Sequence, residues 1–185
     1  MYAKTLNVEI KARCRDIGAA RGRLEELNAV RHGLDEQTDT YFVVPEGRMK
    51  LREGRIENSL IFYRRMDQPG PKASHVSRFD LSPADHDLKG VLSDALGVRS
   101  VVHKAREIYF LSNVKIHLDE VDGLGSFLEI EAIDTTGQRT RPQLRRQCRA
   151  LMAKLGVSTE DLLDGSYSDM VAFGRHEAGP LADAA

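Results

Sequence analysis

From Leu6 to Arg13 apolar and polar residues alternate, Leu6, Val8, Ile10 and Ala12 against Asn7, Glu9, Lys11 and Arg13. That two-residue period belongs to a strand with unlike faces. Asp16 then stands where a helix N-cap belongs, and Ile17, Ala20, Leu24 and Leu27 recur at helical spacing to about Ala29. The β-branched and aromatic run Thr38–Val44 predicts a second strand, and Pro45-Glu46-Gly47 turns it into Arg48–Arg52, which sets Arg48, Lys50 and Arg52 on one face. A turn over Gly54–Asn58, a strand over Ser59–Met66, a loop from Asp67 to Lys72 and a strand over Ser74–Leu81 follow. Ser82-Pro83 opens a helix in cap-then-proline order, with Leu88, Val91, Leu92, Ala95 and Leu96 as its stripe and Gly97 as its stop.

Val98–Phe110 reads as two edges of a hairpin or as one bent strand. Beyond a turn at Ser112-Asn113, Val114, Ile116 and Leu118 alternate with Lys115, His117 and Asp119. After Asp122-Gly123-Leu124-Gly125, the segment Phe127–Ile133 sets Glu129 and Glu131 against Leu128, Ile130 and Ala132. A helix over Arg141–Lys154, carried by Leu144, Cys148, Leu151 and Leu155, stops at Gly156. Ser158–Phe173 predicts one or two short helices and Gly174–Ala185 a disordered tail. With no repeat or linker between them, these elements predict one domain over 1–173.

Strands whose polar faces carry Glu, Asp, Lys and Arg in segment after segment are unusual for a sheet with a merely wetted side. If about eight of them close into a barrel, the charged faces point either outward or into a polar cavity. Three amphipathic helices need an apolar surface to pack on, so the apolar strand faces look outward and the charged faces inward.

Composition narrows the partners. The chain has 185 residues and a formal net charge of −1, from 27 Lys+Arg against 28 Asp+Glu. It therefore carries no global field toward nucleic acid or an acidic membrane, and any polyanion site is local. Two cysteines, Cys14 and Cys148, give neither a disulfide framework nor a zinc spacing. Free thiols, no signal-peptide pattern and no apolar run of ~20 residues predict a cytoplasmic protein.

Same-face neighbours on a strand sit roughly 7 Å apart, so Glu129 and Glu131 present two carboxylates to one volume. Glu9 and Asp119 join them if their strands lie across. Clustered carboxylates need cations, and hard oxygen ligands suit Mg²⁺ or Mn²⁺. Rows such as Lys50/Arg52 and Lys104/Arg106 supply phosphate contacts. One ligand satisfies both sets, a metal-bound triphosphate.

These residues resemble the CYTH or triphosphate tunnel metalloenzyme family, whose members include class IV adenylyl cyclases, thiamine triphosphatases and inorganic triphosphatases. The first strand of that family reads Glu-x-Glu-x-Lys, and Asn7-Val8-Glu9-Ile10-Lys11 matches two of its three positions. Further matches are Asp39-Thr40-Tyr41-Phe42, Lys50-Leu51-Arg52, Arg64-Arg65, Lys104-x-Arg106, Val114–Asp119 and Glu129-Ile130-Glu131. The stretch Leu118–Glu131 is most similar to the class IV cyclase branch. The resemblance implies an α+β fold, a closed antiparallel β-barrel with helices packed outside it. It also implies a homodimer.

By the same resemblance Glu9, Asp119, Glu129 and Glu131 hold Mg²⁺ or Mn²⁺, and with Lys11 they carry catalysis. Lys11, Lys50, Arg52, Arg64, Lys104 and Arg106 hold the phosphates of ATP or inorganic triphosphate. Arg65 competes with Arg64, because only one of the two faces inward from a regular strand. Lys72 reaches the mouth or is an ordinary solvated lysine, and Tyr167 matches a tyrosine near the tunnel end. His117 is read as structural, since phosphoryl transfer needs little side-chain proton chemistry. Asn7 is the departure, an amide where the family has a carboxylate, and it leaves one or two metal ions open. Cyclisation of ATP, hydrolysis of a triphosphate and non-catalytic polyphosphate binding all fit such a cavity.

Overall fold

The computed structural model describes residues 2–82 and 87–177. In chain order these form β1 (Tyr2–Arg13), α1 (Ile17–Glu26), β2 (Val30–Phe42), β3 (Arg48–Glu53), β4 (Ser59–Arg65) and β5 (Lys72–Asp80). Then come α2 (Leu88–Leu96), β6 (Val98–Leu111), β7 (Val114–Val121), β8 (Gly125–Asp134), α3 (Arg141–Leu155), β9 (Leu162–Leu163) and α4 (Tyr167–Glu177). Strands pair in the order β5-β4-β3-β2-β6-β7-β8-β1, and a further β5–β1 ladder closes the ring. The expected eight-stranded antiparallel barrel is therefore present, with both edges of β1 occupied: Asn7 faces Ser74 on β5 and Ile133 on β8. Closure leaves no open sheet edge along the ring.

Helices lie on the apolar outside of the barrel, as their amphipathic pattern requires. Val8, Ile10 and Ala12 of β1, Ile116 and Leu118 of β7 and Leu128 and Ile130 of β8 pack against Ala20 and Leu24 of α1 and Leu144, Cys148, Leu151 and Leu155 of α3. Each large aliphatic side chain buried there contributes about 1.5–3 kcal/mol. Leu24 is fully buried, and Leu24→Ala is expected to cost about 2–5 kcal/mol. Asp16 caps α1 by accepting the Ala19 N–H at 2.8 Å. A reciprocal Thr140/Gln143 capping box starts α3, and Gly156, at φ 69°, ends it in the left-handed region that glycine adopts without strain. By contrast α2 has no fully buried side chain, so its stripe contributes less to the core than its pattern suggests.

Several strands run longer than their patterns. β1 begins at Tyr2, and β2 begins at Val30 rather than Thr38, because its first half pairs along β6 through an irregularity between Arg31 and Gly33. Val98–Leu111 is one strand, which resolves the two readings of that segment. Gly47, at φ +71°, makes the β2–β3 turn, where a Cβ would stand 2.7 Å from the Tyr63 carbonyl oxygen. The segment from Ser158 forms a 3-10 turn at Thr159–Asp161, then β9 and α4. Pro83 and residues 178–185 of the expected tail lie outside the described residues, and α4 itself continues to Glu177.

Candidate active site

Inward-facing side chains surround a cavity of about 400 Å³. β1 supplies Ala3, Thr5, Asn7, Glu9 and Lys11 from its odd positions, as its alternation predicts. β3 supplies Lys50 and Arg52, β4 Ile61, Tyr63 and Arg65, β5 Ser74, Val76 and Arg78, and β8 Glu129, Glu131 and Ile133. Tyr167, the first residue of α4, also lines the cavity, with its ring 5.0 Å from that of Phe127. The lining is densely charged near Tyr167, whereas Ala3, Thr5, Ile61, Val76 and Ile133 stand in a section whose charged residues are the Arg78–Asp80 pair.

Three carboxylates anchor the cations. Asp39, fully buried on β2, accepts from Lys50 at 2.9 Å, from Arg52 at 2.8 and 3.0 Å, and from Lys104 at 2.6 Å. Burial alone raises its pKa, but the three cations outweigh that and hold it well below the ordinary carboxylate range. Burial also pushes Lys104 down to about 7, against the pull of Asp39. Glu57 accepts from Arg52 at 2.8 Å and from Lys115. It is delivered by the turn after β3, whose Arg55, Ile56 and Glu57 N–H groups donate to Asp35 at 2.7, 3.0 and 3.0 Å. Asp119 accepts Arg106 Nε at 2.7 Å and Nη2 at 2.5 Å, while Tyr167 donates its hydroxyl to the same carboxylate at 2.7 Å.

Across the cavity Glu129 pairs with Lys11 at 2.5 Å and with Arg106 at 2.7 Å. Burial lowers Lys11 to about 8, and its attraction to Glu129 offsets part of that loss. Glu131 forms no ion pair among the described residues, and its pKa is raised, first by burial and then by Glu9 and Glu129, with Lys115 opposing. His117, Glu129 and Glu131 each offer a ligand atom, all within 4.8 Å of one another. His117 is brought down to about 3 by burial and by Arg106, so its ring is neutral near pH 7. Nδ1 lies 3.2 Å from Glu129, and buried Nε2 has no hydrogen-bond partner. A neutral imidazole with an orphaned nitrogen beside two carboxylates fits a divalent cation.

The structure brings together Glu9, Lys11, Lys50, Arg52, Arg106, Glu129 and Glu131 of the expected set. Others stand elsewhere. Arg64 is corrected to Arg65: Tyr63 and Arg65 share the inward parity of β4, whereas Arg64 points out, 63% exposed, beside Glu46. Asp119, expected to hold metal, is not one of the three grouped residues; its carboxylate accepts from Tyr167 and from Arg106, which also reaches Glu129. Glu9 is paired with Arg65 and is also outside that group. Lys104 shares the parity of Arg106 on β6 but gives its Nζ to Asp39 at 2.6 Å, beside Lys50, and is not among the residues lining this cavity. Lys72 is buried and donates to the Leu163 and Asp164 carbonyls at 2.9 Å each, so it pins the chain around β9 instead of reaching a mouth. Lys115 and Glu57 were not expected. Lys115 shares the parity of His117 and Asp119 and was readable from it, whereas a turn residue such as Glu57 carries no periodic signal.

Comparison with known proteins agrees with this geometry. The CYTH domain profile matches residues 5–167. Adenylate cyclase CyaB of Aeromonas hydrophila is 31% identical over 172 residues, covering 86% of this chain and 85% of that protein. The structure of the PH1012 protein from Pyrococcus horikoshii OT3 is similar in fold, with a TM-score of 0.76 at 23% identity, covering 88% of this chain and 98% of that one. HpAC1 from Hippeastrum, described with a dominant triphosphatase activity, has a TM-score of 0.55 at 14% identity, covering 97% and 98%. With a family profile spanning most of its length and an eight-stranded charged tunnel, this chain belongs to the CYTH domain family.

Proposed function

We propose that the chain is a divalent-metal-dependent enzyme acting on a triphosphate inside the tunnel, with conversion of ATP to cyclic AMP and pyrophosphate as its reaction. The observation that carries this reading is a cavity inside a closed barrel, with Lys50, Arg52, Arg65 and Arg106 lining it together with Glu129 and Glu131. The basic residues neutralise and orient the phosphates, since Arg can chelate two oxygens and Lys supplies a point charge. Glu129, Glu131 and His117 would hold Mg²⁺ or Mn²⁺. Such an ion, when bound, stabilises developing charge on phosphoryl oxygens and lowers the pKa of an attacking hydroxyl.

Tyr167 stands beside Lys11 and Asp119 in the densely charged part of the cavity, so in this reading the phosphates lie there and the rest of the substrate lies toward Thr5, Ile61, Val76 and Ile133. That section, apolar but for the Arg78–Asp80 pair, suits a nucleoside, and likeness to a protein named adenylate cyclase supports cyclisation. Positioning the ribose hydroxyl in line with the α-phosphorus is then the main task of the protein. Hydrolysis of a triphosphate is the second reading, favoured by the fold shared with HpAC1. Free Cys14 and Cys148 are in keeping with a reducing, cytoplasmic setting.

Turnover of ATP and of inorganic triphosphate, each with Mg²⁺ and with Mn²⁺, tests the proposal. Cyclic AMP and pyrophosphate support cyclisation and orthophosphate supports hydrolysis. Binding without any product would leave only a polyphosphate-binding protein.

A further inference from the structure

Asn7, Ser74 and Arg65 occupy one row around the tunnel wall. Ser74 is the cross-strand partner of Asn7 on one side and of Arg65 on the other, and directly opposed side chains stand about 4.5–5.5 Å apart at Cβ. All three line the cavity. Asn7 is 6% exposed, Ser74 is fully buried and the Arg65 side chain is 4% exposed.

Each carries polar atoms with no hydrogen-bond partner: Asn7 Oδ1, Ser74 Oγ, and Arg65 Nε and Nη2. Arg65 gives Nη1 to Glu9, and its Nε has only a 3.5 Å approach to Asp67. Leaving such groups unpaired is costly, and a guanidinium with idle donors is most costly of all. The amide of Asn7 can turn either end toward the cavity. Together the row offers a hydroxyl, cationic N–H groups and, with the Asn7 amide turned so that Nδ2 takes the place of the unpartnered Oδ1, an amide N–H on three adjacent strands, and the row itself contains no carboxylate.

We propose that this row is a direct anion subsite, in which Asn7, Ser74 and Arg65 donate hydrogen bonds to a phosphoryl oxygen of the substrate. It rests on the triphosphate reading above and adds to it that no second metal ion is held at this corner. The amide at position 7 then has a positive role. A carboxylate there repels the same oxygen and needs an intervening cation, whereas an amide meets it directly.

Calorimetric titration of inorganic triphosphate into the full chain, once in EDTA and once with Mn²⁺, tests the subsite without turnover. Wild type is expected to bind in EDTA. Ser74→Ala should weaken that binding about tenfold, the effect of one hydrogen bond to a charged group. Asn7→Glu should weaken it at least as much in EDTA and raise Mn²⁺ stoichiometry from one to two ions per chain. Wild-type binding that requires Mn²⁺, unchanged affinity in Ser74→Ala, or two Mn²⁺ ions already in the wild type would each overturn the subsite while leaving the proposed function standing. Absence of triphosphate binding in both buffers would remove the proposed function itself. Ser74→Ala deletes an unpartnered hydroxyl and should not impair folding, so the test survives a poorly folding Asn7→Glu chain.

Discussion

Asp39→Asn keeps the shape of the side chain and removes one buried charge that three cations share. Asp39 has no solvent exposure and accepts from Lys50, Arg52 and Lys104. Stripping one partner from a buried ion cluster costs about 3–5 kcal/mol, because the remaining charges stay dehydrated without compensation. Arg52 retains Glu57 at 2.8 Å, and Lys104, already near pKa 7, can shed its proton. Both effects keep the cost from rising above that range. At about 2–4 °C per kcal/mol for a chain of this size, Tm should fall by about 6–20 °C in metal-free buffer. Inorganic triphosphate returns negative charge to Lys50 and Arg52, which line the cavity. At one fixed triphosphate concentration its stabilising effect should therefore be larger in Asp39→Asn than in wild type, by about 1.4 kcal/mol for each tenfold gain in affinity. Differential scanning calorimetry with and without triphosphate measures both quantities. A Tm within 2 °C of wild type, or a smaller triphosphate shift in the variant, would refute the claim that Asp39 holds the basic wall in place.

Arg65→Ala should weaken triphosphate binding at least tenfold, while Arg64→Ala leaves it unchanged, since only Arg65 lines the cavity; equal effects in titration would refute the inward parity of β4. Glu131→Gln should abolish metal-dependent turnover and keep or raise Tm in metal-free buffer, because it removes a buried carboxylate whose pKa is already raised. Unfolding of that variant would instead mark Glu131 as structural. The pH dependence of stability follows Lys104, which loses its proton near pH 7 when folded and near its ordinary 10.5 when unfolded. Between those values the unfolded chain binds more protons, so stability rises with pH; Lys11 and Lys72, both lowered to about 8, add slope of the same sign, so Lys104→Met should reduce the slope in chemical denaturation, most clearly between about pH 7 and 8, without removing it.

Much of the tunnel was legible along the chain because a period of two assigns a face to every residue once one face is known. Lys11, Glu129 and Glu131 were placed in this way, and the helices α1 and α3 decided which face looked outward. Arg64 and Arg65 were harder, since Phe62 and Tyr63 are both aromatic and neither parity of β4 is marked by an apolar alternation. The engagement of Asp119 could not be read locally, because its partners Arg106 and Tyr167 lie 13 and 48 residues away. The first half of β2 mixes charge with Gly33 and carries no clear period, so its strand character comes from pairing with β6. His117 matched its polar face but not its neighbours: only the β7–β8 register, which sets it opposite Glu129, brings it to the carboxylates.

The central claim is that one cavity holds a triphosphate between a basic wall and a metal-bearing acidic wall. A crystal structure with inorganic triphosphate and Mn²⁺, with anomalous scattering recorded for the metal, tests it most directly. The account predicts an anomalous peak within ligand distance of Glu129, Glu131 and His117, and phosphate density within hydrogen-bond reach of Lys50, Arg52, Arg65 and Arg106. An anomalous peak away from Glu131, or triphosphate bound on the outside of the barrel, would contradict it.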